Sequence, residues 1–63
     1  MKYAELRGAI RAKFGTQEAF AKAMGMHYST LSSKLRGLTD WTRSEMALAC
    51  ELLGIPVSVF FKQ

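Results

Sequence analysis

The side chains best suited to chemistry form an uncharged polar run, HYSTLSS, at positions 27–33. Small hydroxyls and an aromatic ring can approach the edges of DNA bases without clashing. These residue types are poor helix formers by intrinsic propensity, and solubility alone would be served as well by Glu and Lys. We therefore interpret the run as a surface that contacts a partner, and base edges fit its chemistry. The alternative is that Ser32 and Ser33 are plain surface.

Catalysis has little support in the residue types present. The chain has one histidine and one cysteine, His27 and Cys50, with no nucleophile motif and no glycine-rich phosphate loop. One histidine and one distant cysteine do not make a metal site. We expect no enzymatic activity, no metal, no cofactor and no small-molecule substrate. A lone cysteine cannot form an internal disulfide, so Cys50 is predicted to lie in the core of a protein from a reducing compartment.

Two short helices joined by a tight turn are predicted to carry the polar run. The first covers 17–24, with Thr16 as an N-cap whose hydroxyl accepts a backbone N–H of the first turn. Gly25 follows, where a chain that must turn favours a residue able to take positive φ. The second helix opens at His27. Small residues at Ala21 and Gly25 are expected to let the two helices approach closely near the corner.

A recognisable pattern runs through this segment. A glutamine opens the first helix, an aromatic–small pair lies in its middle, apolar residues flank the turn glycine, and a leucine lies inside the second helix. These residues are Gln17, Phe20, Ala21, Met24, Gly25, Met26 and Leu31. The pattern resembles the helix-turn-helix of the phage repressor and Cro-like DNA-binding proteins, the XRE type. One departure is that many relatives carry an apolar residue at the position of Lys34, whereas here the apolar residue is Leu35.

The flanking segments are also predicted to be helical. Apolar residues at intervals of three and four predict an amphipathic helix from about Lys2 to Lys13, which Gly8 weakens by up to ~1 kcal/mol relative to alanine. Its polar side carries basic residues that would reach a phosphate only if this helix borders the binding face. Those residues are Lys2, Arg7, Arg11 and Lys13.

The strongest local signal is a capping box. Thr42 and Glu45 have the T-x-x-E spacing, and Trp41 with Met46 forms a hydrophobic staple around it. The helix that follows is expected to end at Gly54. A further turn of helix is predicted over 56–61, with its last aromatic, Phe61, either in a dimer contact or lying against the first helix.

The resemblance implies an all-α fold: a compact five-helix lambda-repressor-like DNA-binding domain with a helix-turn-helix, covering residues 1–63 as a single domain. In proteins of this motif the second helix enters the major groove and the first lies across the backbone. The base-reading residues would be Tyr28, Ser29 and Ser33, with His27 and Ser32 less central. The phosphate-binding residues would be Gln17, Lys34, Arg36, Thr39 and Arg43.

Some of these assignments have structural alternatives. Tyr28 would instead pack over Met26, and His27 would be a cap or a solvated group. Trp41 is expected to serve the staple rather than DNA. Arg43 lies in the first turn of its helix, where a cation is unfavourable to the helix dipole unless an anion sits nearby, which favours a phosphate partner.

Charge and size limit the function classes. The net charge is +4, from nine Lys and Arg against five Asp and Glu, which favours a polyanionic partner, although a basic and inert surface is the alternative. We expect a sequence-specific double-stranded DNA-binding regulator that acts as a homodimer on a two-fold operator. We expect it in the cytoplasm of a bacterial cell, encoded either by the bacterium or by a phage. No apolar run is long enough to cross a membrane. The alternative function is a helical adaptor that binds a protein partner, of the anti-repressor or antitoxin type.

Overall fold

Short helices account for most of the chain. In a computed structural model, which describes residues 2–61, four α-helices are followed by one 3₁₀ helix. They are α1 (Ala4–Phe14), α2 (Gln17–Met24), α3 (Tyr28–Leu35), α4 (Arg43–Leu53) and the 3₁₀ helix Val57–Phe61. These described residues contain no strand, so the predicted all-α class is confirmed.

The first and last elements differ from the sequence-based boundaries. α1 begins at Ala4 rather than Lys2, because Tyr3 takes a left-handed backbone conformation with φ of 59° and caps the helix instead of joining it. The turn predicted after Pro56 is a 3₁₀ helix, in which the Val59 N–H donates to the Pro56 carbonyl at 3.1 Å. Four α-helices are therefore present in residues 2–61 rather than five.

The predicted caps of α2 and α4 are confirmed. The Thr16 hydroxyl accepts from the Ala19 N–H at 3.1 Å. At the start of α4 the Thr42 hydroxyl accepts from the Glu45 N–H at 3.1 Å, and the Glu45 carboxylate accepts from the Thr42 N–H at 2.8 Å. Gly54 ends α4 in the left-handed conformation that glycine adopts without a steric penalty.

Side chains from every element share one core. Trp41 stacks edge to face on Phe60 with ring centroids 4.9 Å apart, and Tyr3 packs edge-on against both rings. Cys50 is half-buried against this core, as expected. Phe61 is 71% exposed, so the alternative that it lies against α1 is wrong. The buried apolar residues are Leu6, Ile10, Phe20, Ala21, Met24, Leu31, Leu35, Trp41, Ala49, Leu53, Val59 and Phe60.

The turn between α2 and α3 consists of residues 25–27. Gly25 has φ of 73°, which confirms the expected left-handed turn, and the Met26 N–H donates to the Ala21 carbonyl at 3.0 Å. A Cβ atom at Gly25 would have no neighbouring atom within 4 Å. Gly25 is therefore needed for its backbone conformation and not, as expected, for close approach of the helices.

Candidate nucleic-acid interface

The start of α3 carries a surface that we call the polar edge: His27, Tyr28, Ser29, Ser32 and Ser33. His27, Tyr28 and Ser29 are exposed, and the other two serines are half-buried. Ser29 and Ser33 are four residues apart on the helix and therefore share a face. The expectation that this run lies at the surface is met by its first three residues, while its last two lie at the margin of the core.

His27 has a structural role within the polar edge. It is the N-cap of α3, and its Nδ1 accepts from the Ser29 N–H at 3.2 Å. The Ser29 hydroxyl lies 2.9 Å from the same nitrogen. One of the orphan donors at the helix start is thereby satisfied, which confirms the alternative interpretation of His27 as a cap.

Tyr28 lies at the border of two depressions in the surface. Its ring lines a cleft of about 910 Å³ together with Gln17, and a smaller one of about 290 Å³ together with Met26. The side chain is 47% exposed. Tyr28 and Met26 line the same depression, and about half of the Tyr28 surface is available to a partner.

Gln17 is the first residue of α2, and it is half-buried. The Thr16 hydroxyl caps the Ala19 N–H, whereas the backbone N–H groups of Gln17 and Glu18 have no acceptor within residues 2–61. N–H groups at a helix start, together with the positive end of the helix dipole, favour an anion. Since Gln17 and Tyr28 line the same cleft, the start of α2 and the start of α3 face one surface.

The assignment of Lys34 to a phosphate contact is wrong. Its side chain is 8% exposed, and its Nζ lies 2.9 Å from the Glu45 Oε1 and donates to the Asp40 carbonyl at 2.8 Å. The same ammonium lies 6.0 Å from the centroid of the Trp41 ring. Lys34 therefore occupies an interior position, where it contacts a carbonyl of the loop after α3 and a carboxylate of α4.

Glu45 has a lowered pKa as a result of this arrangement. Burial raises the pKa of its carboxyl, but hydrogen bonds from Thr42 and the contact with the Lys34 ammonium lower it by more in total. The net direction is below the ordinary value, so the carboxylate is charged at neutral pH. The Lys34–Glu45 pair thus brings one positive and one negative charge together and leaves the net charge of +4 unchanged.

The remaining residues of the expected phosphate set are exposed. Arg36 caps the end of α3, Thr39 lies in the loop that follows, and Arg43 is the first residue of α4. None of their side chains forms a hydrogen bond or ion pair with another residue in the described part of the chain. Their exposure and charge allow contact with a polyanion.

Two of the basic residues of α1, which were expected to reach a phosphate only if this helix borders the binding face, line the same cleft. Arg7 and Arg11 of α1 line the 910 Å³ cleft opposite Gln17 and Tyr28. Their four-residue spacing and shared helix face could be seen in the sequence, but not which element that face would meet. No sequence pattern places α1 beside the start of α3.

With this geometry in place, comparison with known proteins gives one family. A family model described as "Protein of unknown function (DUF739)" matches residues 1–62. The chain belongs to this family. A search of the curated proteins finds no match. The DUF739 description names no activity, ligand or partner.

The DUF739 surface offers hydrogen bonding and positive charge. In residues 2–61, no group of three or more His, Cys, Asp or Glu is placed to hold a metal ion. None of the helices described is long and apolar enough to cross a membrane. The polar edge provides hydroxyl, imidazole and phenol groups. Gln17 provides donors at the cleft that Tyr28 also lines, and Arg36 and Arg43 are exposed at the end of α3 and the start of α4.

Proposed function

We propose that this protein is a sequence-specific double-stranded DNA-binding regulator, whose α3 enters the major groove. The observation that carries the proposal is the exposed, uncharged polar edge beside the α2 start, on two eight-residue helices joined by residues 25–27. A helix with small polar side chains at its start fits the major groove, where each base pair presents a distinct donor and acceptor pattern. This arrangement is similar to the helix-turn-helix of Cro-like repressors, whose recognition helix uses its N-terminal residues.

The proposal divides the contacts between two sets. Tyr28, Ser29 and Ser33 read base edges, and Gln17 with exposed cations holds phosphates. Phosphate contacts fix register and orientation without reading sequence. The second set consists of Gln17, Arg36, Thr39 and Arg43. Lys34, which was expected in this set, is excluded because it is buried.

The protein is proposed to act as a homodimer on a two-fold operator. A single short helix reads only a few base pairs, so affinity requires two half-sites about 34 Å apart. The described residues span 24 × 23 × 23 Å, and two copies therefore fit side by side at that spacing without overlap. Exposed apolar residues of the carboxyl-terminal part, Val57 at 50% and Phe61 at 71%, are available for the contact between copies.

A second candidate function is a helical adaptor for a protein partner. Leu38, Val57 and Phe61 are large, apolar and exposed, as a protein-binding surface requires. The salt dependence of DNA affinity distinguishes the two functions. DNA binding through several phosphates weakens as salt rises, with a slope of about 0.9 in log K per phosphate neutralised. An adaptor shows no such slope with DNA.

The test is selection of bound duplexes from a random pool with purified protein, followed by titration of the selected duplex at two salt concentrations. We expect a two-fold symmetric consensus and a steep salt slope. In the selected duplex, Ser33→Ala should change preference at one base pair by about 1–3 kcal/mol. Arg43→Ala is the matched control, which should weaken all duplexes alike and make the salt slope shallower. Failure to enrich any duplex, with affinity independent of salt, would remove the proposal in favour of the adaptor.

A further inference from the structure

The face of α1 that meets the cleft is a single stripe. Ala4, Arg7, Gly8 and Arg11 lie at spacings of three and four along α1 and line the same 910 Å³ depression. Gln17 and Tyr28, which belong to the two faces assigned to DNA above, line it as well. α1 therefore borders the surface on which DNA is proposed to lie.

The two arginines on this stripe differ in their hydrogen bonding. Arg7 is committed to the fold, because its Nη2 donates to the Leu35 carbonyl at 2.9 Å and its Nε to the Lys2 carbonyl at 3.0 Å. Arg11 is exposed, and its guanidinium forms no hydrogen bond or ion pair with any residue in 2–61. A guanidinium without a protein partner beside a helix start is placed to bind an anion by two parallel hydrogen bonds.

The other residues of the cleft leave room for an anion beside Arg11. Gly8 lies one turn before Arg11, and a Cβ atom there would meet nothing within 4 Å. Glu18 is the one carboxylate lining the cleft in the described residues, and it forms no ion pair with Arg11. The unpaired N–H groups at the start of α2 lie at the same cleft and add donors to the guanidinium charge.

We propose that Arg11 binds a DNA backbone phosphate at this cleft and thereby sets the position of α3 in the groove. The inference rests on the proposed function and adds a phosphate contact from α1 to the set formed by Gln17, Arg36, Thr39 and Arg43. Arg11 is a positioning residue, since a phosphate contact carries no sequence information. It acts on every duplex by the same amount.

The experiment compares Arg11→Gln with Lys13→Gln, using the duplex selected by the wild-type protein and an unrelated duplex of equal length. Both variants remove one positive charge from the last turn of α1, and Lys13 is exposed outside the cleft. Arg11→Gln should weaken binding to both duplexes about tenfold and lower the salt slope by about 0.9. Lys13→Gln should change affinity less than about twofold, since Lys13 does not line the cleft and an exposed charge without a direct phosphate contact is screened by salt. Arg11→Lys should restore most of the slope, and thermal unfolding of each variant checks that the fold is kept.

The possible failures are distinguishable. If the wild-type protein binds DNA and the two glutamine variants lose equal affinity, the assignment of Arg11 is wrong while the proposed function stands. A change of base preference in Arg11→Gln would also overturn the assignment, because the side chain would then read bases. If the wild-type protein binds no duplex even at low salt, both the proposed function and this inference are wrong.

Discussion

At its carboxyl end α3 is anchored by buried contacts, whereas its amino end is capped by one exposed histidine. Lys34 is paired with Glu45 and the Asp40 carbonyl, and Arg7 donates to the Leu35 carbonyl. At the other end the only side-chain hydrogen bonds in the described residues are those between His27 and Ser29. One end of the same helix thus joins three elements together, and the other end faces solvent.

The difference shows how a small protein can separate positioning from recognition. Because the carboxyl end holds α3 against α1 and α4, the residues of the polar edge contribute little to the core. Their types are therefore open to selection by a partner rather than by stability. This division makes a prediction for each end: substitutions at the anchored end should alter the free energy of unfolding, and substitutions at the polar edge should alter it little.

The largest effect is expected at Lys34. Lys34→Ala removes a buried ammonium and its aliphatic stem and leaves Glu45 without its partner, which should lower the free energy of unfolding by about 2–3 kcal/mol. In a domain of this size that corresponds to a fall in Tm of roughly 10–20 °C. Lys34→Met also leaves Glu45 without its partner, but it keeps most of the side-chain volume at this interior position. It should therefore destabilise the protein by about 1 kcal/mol less than Lys34→Ala does. Thermal denaturation followed by circular dichroism measures both.

Lys22 is the matched control for this comparison. It is exposed on α2, so Lys22→Ala should stay within about 0.5 kcal/mol of the wild type. Equal destabilisation by Lys34→Ala and Lys22→Ala would contradict the anchoring role of Lys34.

The second prediction concerns the stability of the protein at low pH. The pKa of Glu45 is below its ordinary value in the folded state, so the unfolded chain binds a proton at this group more readily. The resulting stability is present at neutral pH and is lost as the pH falls from about 4.5, the ordinary value, through the lower folded pKa. Glu45→Gln keeps the capping-box geometry without a titrating group, and Tm measured against pH should fall less steeply in this variant.

Glu51→Gln gives the comparison at an exposed position of the same helix. The fall in Tm with decreasing pH should be the same in this variant as in the wild type. If the Tm of Glu45→Gln also falls with pH as steeply as that of the wild type, Glu45 is not the source of this pH dependence.

The anchored end shows where sequence reasoning stops. The Thr42–Glu45 capping box and the Gly25 turn could be predicted because each is decided within a few residues of chain. The burial of Lys34 could not, since a lysine in a polar run is typical of an exposed helix face. Only tertiary packing brings Glu45 and the Asp40 carbonyl to it.

Contacts between residues far apart in the sequence could not be predicted, for the same reason. Arg7 and the Leu35 carbonyl are 28 residues apart, and no local pattern pairs them. The cleft that brings Arg11 to Gln17 and Tyr28 likewise depends on how α1 packs against α2. The identity of the polar edge, by contrast, was readable, since a helix that starts without charge or large apolar side chains stands out in the sequence.

The smallest expected effect is at the amino end of α3. His27→Ala removes the acceptor for the Ser29 N–H, and loss of an exposed N-cap should lower the free energy of unfolding by about 0.5–1 kcal/mol. His27→Asn supplies a preferred N-cap residue and should restore the wild-type Tm.

The same pair of variants decides what His27 does on DNA. If it is only a cap, His27→Asn keeps the base preference found by duplex selection, and the polar edge reads bases without it. A changed preference at one base pair in His27→Asn, with Tm restored, would show that the ring reads a base as well, because the cap would then be intact while recognition is altered.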